Sequence, residues 1–461
     1  MTTLLWYRRD LRVADHVALR AALEDDRVVP VFCLDDRLLG GRHASGPRTQ
    51  FLLECLRDLD DALRERGSGL VVRRGAPERE LPALAAEAGA TAVHATADVG
   101  PYARRRDERT RRALGPVELH VHPGLNVVDD VAGLRTKAGK PYTVFTPFHR
   151  AWLAVGRRDL APTPRKLPPL PTRLRKGQIP SLRSLGLRQE VADPLPGGER
   201  AARERMTRFL SGGVRAYVEE HDALATDRTS RLSSYLHFGC LSARELEDRV
   251  PGGAGPDAFR RQLCWRDFYH HVLHHFPANA RSEFQERYRG AIRWSYAKRR
   301  FEAWCDGRTG FPLVDAGMRQ LRREGWMHNR ARLVVGSFLT KDLGIDWRWG
   351  ERHFMRLLID GDEANNNGNW QWIASVGVDP QPAFRRIYNP ARHMERYDPG
   401  GDYVRRYVPE LRRVPDGHLR EPWTMPAELQ REVGCVIGTD YPAPIVDHAA
   451  ARREALERYR V

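Results

Sequence analysis

The sequence is poor in cysteine and has none in pairs. Six thiols in 461 residues (Cys33, Cys55, Cys240, Cys264, Cys305, Cys435) stand far apart without a C-x-x-C, which excludes a disulfide framework, a zinc ribbon and a thioredoxin-type motif and makes reduced thiols the simplest reading. No stretch approaches the roughly 20 apolar residues that span a bilayer, and the opening MTTLLWYRRDLR carries charge where a signal peptide needs an apolar run. A cytoplasmic protein with no membrane association is expected. No G-x-G-x-x-G follows any candidate strand, so a nicotinamide site is not expected. G-x-x-x-x-G-K-[ST] and G-x-S-x-G are also missing, which sets aside nucleoside triphosphate and serine-hydrolase chemistry. The i, i+4 pairs His270/His274 and His271/His275 lack a Glu or Cys to complete a ligand set, so no metal is expected.

Negative charge is also in short supply. Lys and Arg number 76 against 60 Asp and Glu, a net charge of +16. Arginine doublets (Arg260/Arg261, Arg299/Arg300, Arg322/Arg323, Arg385/Arg386, Arg405/Arg406) fall in a half that also holds most of the Trp and Tyr, and cations interleaved with aromatic rings suit a phosphate backbone with stackable bases.

Short β-rich runs (LLWY, VVPVFCL, GLVVRRG, TAVHATA, VELHVH) alternate with helix-like segments up to residue 130, a pattern that predicts a doubly wound parallel sheet of the Rossmann-like α/β type. Residues 131–198 read as a connector, proline-rich from 160, where long helices and central strands are excluded. From 199 to 461 apolar residues recur every three or four positions, which predicts an all-α domain.

Three stretches of that helical half are too polar and too aromatic at once for ordinary helix faces: TSRLSSYLHFG from Thr229, GWMHNRARLVVGSFLTKDLGIDW from Gly325 and LIDGDEANNNGNWQW from Leu358. The first sets hydroxyls and Arg231 before a helix, an arrangement that serves either as a plain cap or as a diphosphate cradle. The third needs a partner for each of its amides and carboxylates, and either water or a polar planar ligand supplies one. Trp370 and Trp372 immediately after it favour the ligand.

These strings, together with LLWYRRDLRVADHVAL, PYTVFTPFHRAW, QLCWRDFY, TGFPLVDAGMRQL and YPAPIVDH, occur in order over essentially the whole chain. By them the sequence resembles the cryptochrome/photolyase family, and within it the class I cyclobutane pyrimidine dimer photolyases. The resemblance implies FAD, non-covalent and folded, bound by Tyr217, Thr229, Ser230, Arg231, Leu232, Ser233, Phe259, Gln262, Arg266, Asn329, Arg332, Asp360, Gly361, Asp362 and Asn366. Phe259 stands where the family commonly has Trp and keeps an aromatic wall. Asn366 resembles the residue facing flavin N5, where an Asn favours the reduced flavin. Arg332 and Asp342 resemble the family's buried ion pair near the flavin. Trp370, Trp347 and Trp304 resemble its electron-transfer chain from flavin to surface.

For DNA, the resemblance implies that Trp265 and Trp372 hold a flipped lesion with Asn329 at its base edges, and that Arg330, Arg386, Arg392 and His221 meet phosphates. Gln262 stands where dimer photolyases carry a Glu, and Leu333 where a Met packs on the thymine. An amide donates and accepts but supplies no charge, so the resemblance implies a weaker repair step. Gln at that place also occurs in (6-4) photolyases, which use a His at the position of Asn329, so Asn329 favours the cyclobutane dimer. Asn366, Gln262, Trp265 and Asn329 are thus the expected catalytic set. In the N-terminal domain Ala103 replaces the Glu of folate-binding members, which argues against methenyltetrahydrofolate. Cys33, Asp35, Arg48 and Asp98 resemble an 8-hydroxy-5-deazaflavin antenna site. A monomer acting on UV-damaged DNA, with no obligate protein partner, is expected. The rival is a blue-light photoreceptor of the same family that repairs nothing.

Overall fold

The computed structural model describes residues 1–41, 44–379 and 381–460. Strands β1 Thr2–Tyr7, β2 Arg27–Leu34, β3 Val71–Arg74, β4 Ala90–Thr96 and β5 Glu118–His122 form one parallel sheet in the order β3-β2-β1-β4-β5. β2 is apolar and buried from Val28 to Leu34, as a strand must be when helices cover both faces of the sheet. Leu81, Leu84 and Leu114 pack on one face, and Leu19, Phe51 and Leu56 on the other. Helix starts follow local chemistry: the Ser45 hydroxyl accepts from the Arg48 N–H, and Pro77 and Pro101 occupy first turns. Strand order reverses at β1, so the crevice where such sheets hold ligands opens at the carboxyl ends of β1 and β4. Arg8 and Arg9 follow one of those ends, and Asp98 the other.

Between residues 123 and 198 the chain forms the Phe145–Ala154 helix and, in its prolyl part, a single short turn at Arg183–Leu185, because prolines remove the N–H groups that longer elements need. From Glu199 on, every named element among the described residues is helical, and the 22-residue Ala254–His275 helix lies at the centre. No helix among the described residues is long and apolar enough to cross a membrane.

One apolar core runs from the sheet into the helical half, where Phe51 packs against Tyr235 and Phe238 with ring centroids 5.4 and 5.2 Å apart. A second core, around Trp304, Trp347 and Phe338, belongs to the helical half alone. The histidines of the central helix join the halves. His270 Nδ1 lies 2.5 Å from Asn126 Oδ1. His271 Nε2 accepts from the Tyr142 N–H at 3.0 Å, so its proton is on Nδ1, which donates to the Val131 carbonyl at 2.8 Å. Burial pushes the His271 ring down to about 4, in keeping with that neutral tautomer.

Candidate active site

A cavity of about 550 Å³ opens in the helical half, a volume ordinary for a cofactor pocket. Helical periodicity builds its walls. Phe259, Gln262, Arg266 and Tyr269 recur at three- and four-residue steps along the central helix, and Asn366, Asn369, Trp370 and Ile373 do so along Glu363–Ile373. Tyr217, His221, the Thr229–Ser233 loop, Trp265, Asn329, Arg330, Arg332, Leu333, Asp360, Asp362 and Trp372 also line it. Most of the residues named from the sequence therefore share one space. The cavity is graded: Asp362 and Asn366 are buried, Trp265 and Trp372 are half-buried, and Gln262 and Asn329 are exposed at the mouth.

The polar end holds its groups firmly and leaves acceptors open. Asp360 Oδ2 accepts from Ser233 Oγ at 2.6 Å and from Arg332 Nη2 at 2.8 Å, whereas its buried Oδ1 has no partner. Asn366 Nδ2 donates to both the carbonyl and the Oε1 of Glu351 at 3.0 Å. Both of those atoms are acceptors, so the amide orientation is fixed by chemistry and the carbonyl oxygen is what Asn366 offers the cavity. Asp362 caps the Glu363–Ile373 helix, its Oδ1 accepting from the Asn365 N–H at 2.8 Å. Burial alone would raise the Asp362 pKa; the Arg9 charge and the His270 and His237 rings overcome burial and hold the carboxyl well below the usual range. Burial drives His237 down to about 4 against the pull of Asp362. Orphaned acceptors beside an arginine and a hydroxyl loop fit a ligand with ring N–H and hydroxyl donors, which a flavin dinucleotide has.

The mouth carries two braced indoles. Trp265 stacks on Phe145 with centroids 3.6 Å apart and planes 2° from parallel. Trp372 lies under the Arg386 guanidinium at 3.8 Å and donates through Nε1 to Asp379 Oδ2 at 3.0 Å. Tyr217 and Phe259 meet edge to face at 5.4 Å on another wall.

Several expectations need correction. Arg332 pairs with Asp360 and not with Asp342, whose buried carboxyl is bound by His448 instead. Arg386 is only 2% exposed and is committed to Asp379 and the Trp372 carbonyl, so it steadies an indole and is not placed to meet a phosphate. Trp304 meets Trp370 at 6.2 Å but is 0% exposed, so it cannot be the surface end of an electron path. Trp294, half-buried beside the Ser295–Gly344 pairing that precedes Trp347, has the exposure an outer member needs. Gly361 sits behind the cavity: a Cβ there would fall 2.6 Å from Arg48 Nη1. Arg231 binds Asp227 and Glu324 and lies over Trp326. Arg266 donates to the Leu125 carbonyl at 3.0 Å, Arg330 pairs with Asp222 at 2.5 Å, and Arg392 is exposed.

The four antenna positions separate. Cys33 and Asp35 lie at the carboxyl end of β2, where Asp35 takes Arg37 and the Tyr102 hydroxyl. Asp98 faces Arg9 at 3.5 Å. Arg48 points into the helical half, bound to the Met355 carbonyl. Sequence reasoning missed Arg9, Glu351, His237 and Tyr269. Arg9, His237 and Tyr269 all lie in strings singled out above, and Tyr269 had the further signal of standing seven residues beyond Gln262 on the same helix face.

Comparison with known proteins agrees with this geometry. Residues 3–170 match the family described as DNA photolyase, and residues 259–461 the FAD binding domain of DNA photolyase. A deoxyribodipyrimidine photo-lyase of Streptomyces griseus is 45% identical over 97% of this chain and 96% of its own length. A cryptochrome DASH of Gloeobacter violaceus is 37% identical over 99% and 95%. The crystal structure of a bacterial class III photolyase from Agrobacterium tumefaciens superposes with a TM-score of 0.93 at 35% identity, over 99% of this chain and 97% of that one. With its parallel-sheet domain, its FAD-binding helical domain and photo-lyases among its relatives over nearly its full length, the chain belongs to the photolyase/cryptochrome family and is an enzyme of the photo-lyase kind.

Proposed function

We propose that this protein splits cyclobutane pyrimidine dimers in DNA under blue light, the dimer entering the cavity as a flipped-out pair of bases. The observation that carries this reading is the grading of one cavity, from the buried acceptors of Asp360, Asp362 and Asn366 to the indoles and amides of Trp265, Trp372, Gln262 and Asn329 at its mouth. FAD would be held by Asp360, Asp362, Asn366, Arg332 and the Thr229–Ser233 loop; bound and reduced, it would supply the electron that light sends into the lesion.

The residues divide the remaining work. Trp265 and Trp372, braced from behind by Phe145 and Arg386, present rigid flat faces that stack on extruded bases with little ordering to be done at the moment of binding. Gln262 and Asn329 offer amide donors and acceptors to base edges. The Asn366 carbonyl, fixed by Glu351, offers an acceptor to a ring N–H. Arg392, exposed, and Arg330, held beside the mouth by Asp222, suit the phosphates flanking a lesion. Asn329, where (6-4) enzymes place a His, supports the cyclobutane substrate over the (6-4) product. The outward electron path leads from Trp370 and Trp347 to Trp294. As antenna, 8-hydroxy-5-deazaflavin would lie near Cys33, Asp35 and Asp98, because Ala103 brings no carboxylate for a folate. The protein works as a monomer in the cytoplasm.

The test is repair of an oligonucleotide with one cyclobutane thymine dimer by anaerobically reduced protein, in blue light and in darkness. Light-dependent return of the thymines is the expected result. Bound flavin with no dimer repaired overturns it, and then repair of a (6-4) oligonucleotide, or of neither, separates the (6-4) enzyme from the photoreceptor.

A further inference from the structure

The carboxylate that caps the cavity's main helix is held by the other half of the chain. Arg9, two residues past the end of β1, places Nη2 2.5 Å from Asp362 Oδ2 and donates through Nε to the His237 carbonyl at 3.0 Å. Its Nη1 stands 3.5 Å from Asp98. The Asp362 carboxylate thus has one oxygen on the α/β domain and the other on the first turn of Glu363–Ile373, the helix that carries Asn366 and Trp370 into the cavity. His270 Nε2, 3.4 Å from Asp362 Oδ1, and His237 are its other titratable neighbours. Both rings are driven toward the neutral form by burial, which leaves Arg9 as the cation bonded to Asp362, with the Arg266 charge also acting on it. The same domain reaches the cavity's second aspartate from behind, since the half-buried Arg48 interacts with the charges of Glu351 and Asp360.

We propose that Arg9 is a positioning residue of the cofactor site, so that FAD retention and docking of the α/β domain form one linked equilibrium. This rests on the FAD reading above. Without the guanidinium a buried carboxylate at the start of Glu363–Ile373 loses its bonded cation, and a proton or water must take that place. Either change shifts the helix turn that sets Asn366. Linkage is reciprocal, so bound FAD tightens the seam as much as the seam tightens FAD. The Leu11 amide, which donates to the Phe238 carbonyl at 3.1 Å, reports that seam.

The experiment follows the fluorescence of FAD released from purified holoprotein on dilution, with exchange of the Leu11 amide as a second readout, in wild type, Arg9→Met, Arg9→Lys and Glu199→Gln. Glu199 bridges the same seam away from the cavity, accepting from the Val13 and Ala14 N–H groups at 2.7 and 3.2 Å. Arg9→Met is expected to weaken FAD retention by at least about tenfold, the equivalent of one buried charge contact. Arg9→Lys, which keeps the charge but not the two-point reach, should fall between Met and wild type. Glu199→Gln should lower the melting temperature yet keep FAD retention close to wild type, and FAD should slow Leu11 exchange in wild type but not in Arg9→Met. Retention unchanged in Arg9→Met overturns the proposal, as does an equal loss in Glu199→Gln. If Arg9→Met does not fold, an Arg9→Lys protein that holds FAD as tightly as wild type overturns it. A wild-type protein that takes up no FAD overturns the cofactor reading itself, and the proposal with it.

Discussion

The two halves of the molecule each gather charged groups into a crevice, but they leave different atoms open. At the carboxyl end of the sheet the carboxylates are already answered: Asp35 by Arg37 and Tyr102, Asp107 by Arg8 and Arg106, Asp98 by Arg9. In the helical cavity Asp360 Oδ1 is buried and unanswered, and the Asn366 carbonyl faces the same space. Polar richness alone therefore does not mark a site. What marks it is an acceptor held rigid by one set of partners while its remaining capacity waits for a ligand.

The largest test of that contrast is a matched pair of truncations. Asp360→Ala removes the open acceptor and leaves Arg332 without its carboxylate, and FAD retention should fall by roughly a hundredfold, as expected when one partner of a buried, hydrogen-bonded charge pair is lost. Asp35→Ala removes an equally buried carboxylate from the sheet crevice and should leave FAD retention unchanged. Equilibrium titration of both variants with FAD checks the pair; equal losses would erase the distinction between the crevices.

The next test is the electron path, and it shows where sequence reading stops. Alternating β-rich and helix-like runs made all five strands legible, most plainly β1 and β2, because a parallel strand buried on both faces demands a continuous apolar run. The DGDEANNNGNWQW run was legible as a site because so many amides cannot be buried without partners. Partner choice was not legible. Whether Arg332 meets Asp342 or Asp360, and whether Arg386 meets phosphate or Asp379, depends on which loop the fold brings near. Arg9 lies 353 positions from Asp362. A Trp's exposure is equally hidden, since Trp304 and Trp294 both stand among mixed polar and apolar neighbours. Trp294→Phe should slow photoreduction of oxidised protein by more than about tenfold, because it removes the half-buried end from which solution reductants take over. Trp304→Phe should slow it less and principally destabilise the second core, where large aromatic truncations act through lost packing. Flash absorption of the two variants checks the order, and neither change should impair repair by chemically reduced protein.

At the mouth, Gln262→Glu adds a carboxylate beside the lesion at an exposed position. Repair per absorbed photon should change severalfold, by the scale of one charged hydrogen bond to a reacting group, while FAD retention stays as it is. A shift in retention instead would place residue 262 in the cofactor's share of the cavity.

The smallest expected effect concerns pH and contrasts the buried imidazoles with the buried carboxylate. His237, His271 and His328 are each driven by burial down to about 4, whereas a histidine in the unfolded chain titrates near 6.5. Between those values the unfolded state binds more protons, so stability rises with pH across that window and is lost as pH falls from about 6.5 toward 4. Asp362 shifts in the same direction, its pKa lowered from the ordinary carboxylate value, and so contributes stability that is present above that value and is lost only at still lower pH. Acid should therefore weaken the protein first through its histidines. Melting temperature measured at pH 7 and pH 5 should drop by several degrees, and His271→Asn, which leaves no group to protonate at the joint with Tyr142 and Val131, should be less stable at pH 7 yet show a shallower drop. A slope unchanged in His271→Asn would assign the acid sensitivity to the imidazoles around the cavity, where FAD binding should then flatten it.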